Sequence, residues 1–100
     1  MADVRRLRTE KYGPAFRATL EHQRIQPATG RAKALKAAIG RLRSAAQLPL
    51  DGDAEIEFWG AERCWAHHFA SRLWLYYRTD PTGSDEYVEL MAVRDHLHEQ

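Results

Sequence analysis

The eight residues from Ser71 to Arg78 read Ser-Arg-Leu-Trp-Leu-Tyr-Tyr-Arg, and alternate positions carry Arg72, Trp74, Tyr76 and Arg78 with no acidic residue among them. On a strand, residues two apart share a face, so these four are expected to stand together. Guanidinium groups neutralise phosphates, and aromatic rings stack unpaired bases at about 1–3 kcal/mol per base, which suits such a face to RNA. The reading that needs no ligand is a second apolar layer under a loop or subunit, with the arginines snorkelling at its ends.

Histidines supply the second candidate chemistry. His67 and His68 are adjacent, and His96 and His98 lie near the C-terminus. Neighbours on a strand face opposite ways, so only one of His67 and His68 can line a given site. If Cys64 and Ala66 are core residues, parity places His67 on the polar face with Arg63 and Trp65. His96 follows Arg94 at the end of the last expected strand, where it approaches Arg72 or Arg78. Imidazole moves protons near neutral pH and guanidinium stabilises charge developing on a phosphate, the two requirements for cleaving RNA through its own 2′-hydroxyl. The spacing His96-x-His98 offers a metal no third ligand, and there is no glycine-rich phosphate loop, so neither metal nor cofactor is expected. Cys64 is the only cysteine, which excludes an internal disulfide and a cysteine-built zinc cage and suits a reducing, cytoplasmic setting. It reads as a small buried strand residue, since no oxyanion element accompanies it.

The elements that must position these groups follow from punctuation and period. Breaks fall at Gly13-Pro14, Pro27 to Gly30, Leu48 to Asp53 and Asp80 to Asp85. Between the second and third, Leu35, Ala38, Ile39, Leu42 and Ala46 recur at helical spacing, with Thr29 and Gly30 at the start and Pro49 beyond the end. A shorter helix is expected from Pro14 to Arg24, burying Phe16, Thr19 and Leu20 with Tyr12 beneath it. After Gly52 the period falls to two. Strands are expected over Ala54 to Trp59, Arg63 to Phe69, Arg72 to Arg78 and Tyr87 to Arg94, with Val4 to Arg8 as a further strand. Short connections leave no room for crossover helices, which predicts an antiparallel meander. The fold class is therefore α+β: one domain, an antiparallel sheet, and two helices on one face.

A chain of 100 residues with 44% hydrophobic and 29% charged residues fits one core. No apolar run approaches the roughly 20 residues of a membrane span, and the charged N-terminus lacks the apolar segment of a signal peptide. The net charge of +1 conceals an asymmetry: the first fifty residues hold eleven Lys and Arg against three acidic residues, and the second fifty hold four Arg against eleven. A basic surface for a polyanion is one outcome; mutual cancellation in the fold is the other. Lys33, Lys36 and Arg43 on the second helix are the basic residues that would extend an RNA surface.

The order strand, helix, helix and antiparallel strands, together with Arg72-Leu73-Trp74-Leu75-Tyr76-Tyr77-Arg78, resembles the RelE/ParE superfamily of bacterial toxins from type II toxin–antitoxin modules. Val88 to His96 is similar to the last strand of its ribonuclease members, which ends in a basic residue and a histidine. The resemblance implies a cytoplasmic, metal-independent endoribonuclease that cleaves mRNA on the ribosome and is held by a cognate antitoxin. It implies Arg72 as the phosphate-stabilising cation and His96 as general acid or base, with His67 in support. Arg63, Trp74, Tyr76, Arg78, Arg94, Lys33, Lys36 and Arg43 would then bind RNA. A carboxylate base is found in some members, and Glu55, Glu57 and Glu62 are equal candidates here. The alternatives are the branch that inhibits DNA gyrase without catalysis and a protein-interaction module whose aromatic strand face is an interface.

Overall fold

The second helix forms because its sequence supplies both a start and a buried stripe. Thr29 has extended backbone, and its hydroxyl accepts the Ala32 N–H at 3.1 Å, so the helix α2 begins at Gly30 and runs to Ser44. Leu35, Ala38 and Leu42 are buried on one side. The C-terminal carbonyls meet Arg8, whose guanidinium donates to Leu42 O at 3.0 Å and Ala45 O at 2.6 Å, a cation against the negative end of the helix. The first helix, α1, spans Phe16–His22 and stops two residues short of the sequence expectation. Arg24 takes a left-handed φ of 55°, and the N–H groups of Arg24 and Ile25 return to the carbonyls of Glu21 and Leu20. That is a left-handed C-cap, which closes the helix.

The computed structural model describes residues 7–58, 61–80, 82 and 85–97, the side chains at 58, 61 and 62 excepted. Its strands are β1 (Thr9–Tyr12), β2 (Ala54–Phe58), β3 (Ala61–Ala70), β4 (Leu73–Thr79) and β5 (Tyr87–Arg94). They form one sheet in the order β1-β5-β4-β3-β2. The expected meander is present from β2 to β5, every pair antiparallel. The expectation of an all-antiparallel sheet is corrected at its edge: β1 lies parallel to β5, with Thr9 opposite Tyr87 and Tyr12 opposite Leu90. The N-terminal strand is also later in the chain than Val4 to Arg8. Residues 4–6 lie outside the described part, Leu7 precedes the strand, and Arg8 is buried under the end of α2 instead of pairing as strand. Trp59, Gly60 and His98 likewise lie outside the described residues.

Both helices pack on one face of the sheet. Phe16, Leu35, Ala38 and Leu42 join Trp65, Leu73, Leu75, Tyr77, Val88, Leu90 and Val93 in the principal core. The close approach of chain and sheet at the β1–α1 corner is made by Gly13, whose N–H donates to Leu90 O at 2.8 Å and where a Cβ would lie 3.3 Å from that oxygen. Beyond it β1 has ended, and the edge of β5 is satisfied by a side chain: the buried Thr19 hydroxyl accepts the Val93 N–H at 3.0 Å and donates to Phe16 O. The helix-free face is apolar too. Ile56, Cys64, Ala66, Tyr76, Met91 and Ala92 form a second buried cluster, with Trp74 and Leu97 against it. Among the described residues no helix is long and apolar enough to cross a membrane.

Candidate functional site

Strand register arranges the helix-free face in three cross-strand rows. Ile56, Cys64, Arg78 and Glu89 form one; Ala54, Ala66, Tyr76 and Ala92 the next; His68, Trp74 and Arg94 the last. Of the four residues expected to share a face, Trp74, Tyr76 and Arg78 do so in this register, while Arg72 lies in the turn before β4 with a left-handed φ. Their availability differs. Arg78 is partly exposed, with its guanidinium 3.9 Å from Glu89. Trp74 is half-buried and stacked on exposed His68, with ring centroids 4.9 Å apart. Tyr76 is fully buried, its hydroxyl donating to His96 O at 2.7 Å, while Leu97 packs on the same cluster. The expectation that Tyr76 offers its ring to a base is therefore corrected, because the segment after β5 folds back over it.

The last row ends at the polar end of the sheet. A two-residue turn, Ser71-Arg72, joins β3 to β4, and Arg72 holds a left-handed φ of 57°. Glycine is the relaxed residue for that conformation, so an arginine there is strained by about 1 kcal/mol. Arg72 and Asp95 line one open cleft of about 460 Å³, together with Gln23 at the end of α1 and Arg31 in the first turn of α2. Asp95 accepts from Nδ1 of His96 at 2.8 Å. Its carboxyl is held below the ordinary carboxylate range, first by that hydrogen bond and to a lesser degree by the charge of His96 and of His22. Arg72 lines this cleft and His96 does not; His96 is connected to it through its hydrogen bond to Asp95. His68 stands opposite Trp74 in register and so lies in the same row as Trp74 and Arg94.

The other expected residues lie elsewhere. His67 is on the helix side of the sheet, with Trp65, which corrects its assignment to a solvent-facing polar face. The premise that Cys64 and Ala66 are buried holds, but they are buried on the helix-free side, so the opposite parity points into the principal core. Arg63 is also on the helix side, donating to Thr79 Oγ1 at 3.2 Å from a left-handed position in the β3 bulge. Arg43 bonds Arg8 O and Glu10, tying α2 to β1. Lys33 and Lys36 are exposed on α2. Lys33, Lys36 and Arg43 therefore do not extend the Trp74–Arg94 surface, because the whole sheet lies between. Of the carboxylate candidates, Glu55 and Glu57 are exposed on β2, and the side chain of Glu62 lies outside the described part.

Two buried polar features carry no obvious signal in the sequence. Asp53, part of a turn-like Asp-Gly-Asp segment, has a side chain only 3% exposed and bonds both Tyr77 and His67. Burial and the Asp53 hydrogen bond push the Tyr77 hydroxyl well above an ordinary tyrosine. Cys64 is fully buried, and burial raises its thiol, as befits a packing residue. Among the described residues no group of three or more His, Cys, Asp and Glu side chains is placed to hold a metal ion.

The mixed sheet with two helices on one face and a cationic cleft at one end defines a small α+β domain with a polar end site. Comparison with protein-family models, with curated proteins and with solved structures gave no match.

Proposed function

We propose that this protein is the toxin of a type II toxin–antitoxin module and cleaves mRNA on the ribosome. The observation that carries the reading is the shared cleft of Arg72 and Asp95, with His96 bonded to Asp95. In the proposed reaction Nε2 of His96 accepts the 2′-hydroxyl proton. The 2′-oxygen forms a bond to the neighbouring phosphorus, the bond from phosphorus to the 5′-oxygen breaks, and a proton from water or the reprotonated imidazole reaches that leaving oxygen. Arg72 and Arg31 face the negative charge that grows on the phosphate. Trp74, Arg78 and Arg94 lead the strand toward the cleft, with the His68–Trp74 stack as the surface for a base.

The test is incubation with translating ribosomes. Wild type should leave message fragments with 2′,3′-cyclic phosphate and 5′-hydroxyl ends, and Arg72→Ala and His96→Ala should leave message intact. Growth inhibition unaltered by both substitutions would refute the catalytic assignment. A second reading, a non-catalytic inhibitor of gyrase or another protein-binding module, is favoured by the apolar groove between β1, α1 and α2. Tyr12, 57% exposed, lines it with Phe16, Leu20, Leu35 and Ile39. Inhibition of gyrase supercoiling by wild type and by Arg72→Ala alike would select that reading. In the toxin reading the same groove is the proposed seat of the antitoxin.

A further inference from the structure

On the helix side of the sheet, away from the Arg72 cleft, four side chains form a continuous relay. The Leu50 N–H donates to the Tyr77 hydroxyl at 3.2 Å, and Tyr77 donates to Oδ2 of Asp53. Oδ1 of Asp53 lies 2.7 Å from Nδ1 of His67, and Nε2 of His67 lies 3.1 Å from Nη2 of Arg41. An ionised carboxylate only accepts and a guanidinium only donates, so the proton of His67 sits on Nδ1 and Nε2 receives from Arg41. Asp53 is buried with both oxygens engaged, whereas Arg41 is exposed on the last turns of α2. Anchoring the 50–53 loop requires Asp53 and Tyr77. It does not require an exposed cation directed at the outer nitrogen of the imidazole.

That arrangement changes sign when His67 takes up a proton from solvent. Nε2 then becomes a donor, its bond from Arg41 is lost, and two donors stand side by side in front of the Asp53 carboxylate. The charged groups facing His67 are Asp53 from the loop before β2 and Arg41 from α2, with Glu55 next along that face of β2; Leu75 opposes it on β4. From this geometry we infer that Arg41 and His67 form a phosphate-binding site separate from the Arg72 cleft, in which the incoming phosphate group displaces the Arg41–Nε2 hydrogen bond and accepts from both residues. The ligand chemistry is a phosphate oxyanion, supplied by inorganic phosphate or by a nucleic-acid backbone, and the inference stands whether or not the protein cleaves RNA.

The test follows the imidazole resonances of the full-length protein during titration with inorganic phosphate at constant ionic strength. A parallel titration uses a 2′-O-methyl oligonucleotide without terminal phosphates, which has no free 2′-hydroxyl to react. Saturable shifts of His67 are expected. Arg41→Ala, a substitution at an exposed position, should weaken binding about tenfold, and Arg72→Ala should leave the response of His67 to inorganic phosphate unchanged. A response to inorganic phosphate alone identifies a small-ion site, and a response to the oligonucleotide a backbone site. The inference is overturned if neither ligand shifts His67, if Arg41→Ala binds as wild type does, or if Arg72→Ala abolishes the response of His67 to inorganic phosphate.

Discussion

Asp95 accepts a hydrogen bond from the imidazole of its own neighbour, His96, at 2.8 Å, while it also lines the cleft that holds Arg72. The bond keeps the Asp95 carboxyl below the ordinary carboxylate value. A depressed carboxylate stays ionised as pH falls through the usual range near 4, and its hydrogen bond is lost only below that. Carbon-detected titration of Asp95 should give a midpoint under 3.9, and His96→Ala should move it upward. An unchanged midpoint would show that the bond does not persist in solution.

Arg24 and Arg72 both occupy left-handed backbone. Replacing either by glycine removes a steric cost that is partly offset by the greater freedom of glycine in the unfolded chain. Urea denaturation should show Arg24→Gly and Arg72→Gly each gaining up to about 1 kcal/mol. Under the proposed function, only Arg72→Gly should abolish message cleavage. A loss of stability in Arg72→Gly would mean that its side chain is a structural tie.

Thr19→Val keeps the shape of a buried side chain but leaves the Val93 N–H without its acceptor. The expected cost is about 1–3 kcal/mol, measured by thermal or chemical unfolding. An effect within a few tenths of a kcal/mol would indicate that water reaches that edge of β5.

Tyr77 ionises far less readily than an exposed tyrosine because it is buried and donates to Asp53. A group whose folded value is raised contributes stability that is intact below its unfolded value and lost above it. Stability should therefore fall as pH rises beyond about 10, where the unfolded tyrosine releases its proton. Tyr77→Phe should be less stable at neutral pH, with a shallower alkaline decline. A decline of equal slope in both proteins would assign it to other groups.

Gly52 has a φ of +89° immediately before Asp53. Gly52→Ala should destabilise the protein by about 1 kcal/mol or more and loosen the His67–Asp53 bond, seen as faster exchange of the His67 ring proton. Retention of slow exchange would show that the relay itself fixes the loop.

Much of the architecture is written in periodicity. The α2 stripe of Leu35, Ala38 and Leu42, and the alternation of Leu73, Leu75 and Tyr77 against Trp74, Tyr76 and Arg78, fix element type because 3.6- and 2-residue periods sort side chains onto faces before any tertiary contact exists. β1 escaped that logic. Thr9–Tyr12 is a polar edge strand held by pairing with β5 and by Arg8 and Arg43, none of which a local pattern encodes. Parity likewise separated His67 from Cys64 and Ala66, but both faces of the sheet are apolar, so alternation could not tell which one the helices cover.

The sequence by itself determined the helices, the four-strand meander and the face shared by Trp74, Tyr76 and Arg78, because these depend on residues a few positions apart. Only the tertiary structure decided that Tyr76 is sealed, that Asp53 is buried against His67, and that Arg72, Arg31 and Asp95 meet in one cleft. Those outcomes depend on residues 14 to 64 positions apart in the chain. Chain closure, sheet order and the competition of whole surfaces for burial bring such residues together, and a local pattern carries no record of them.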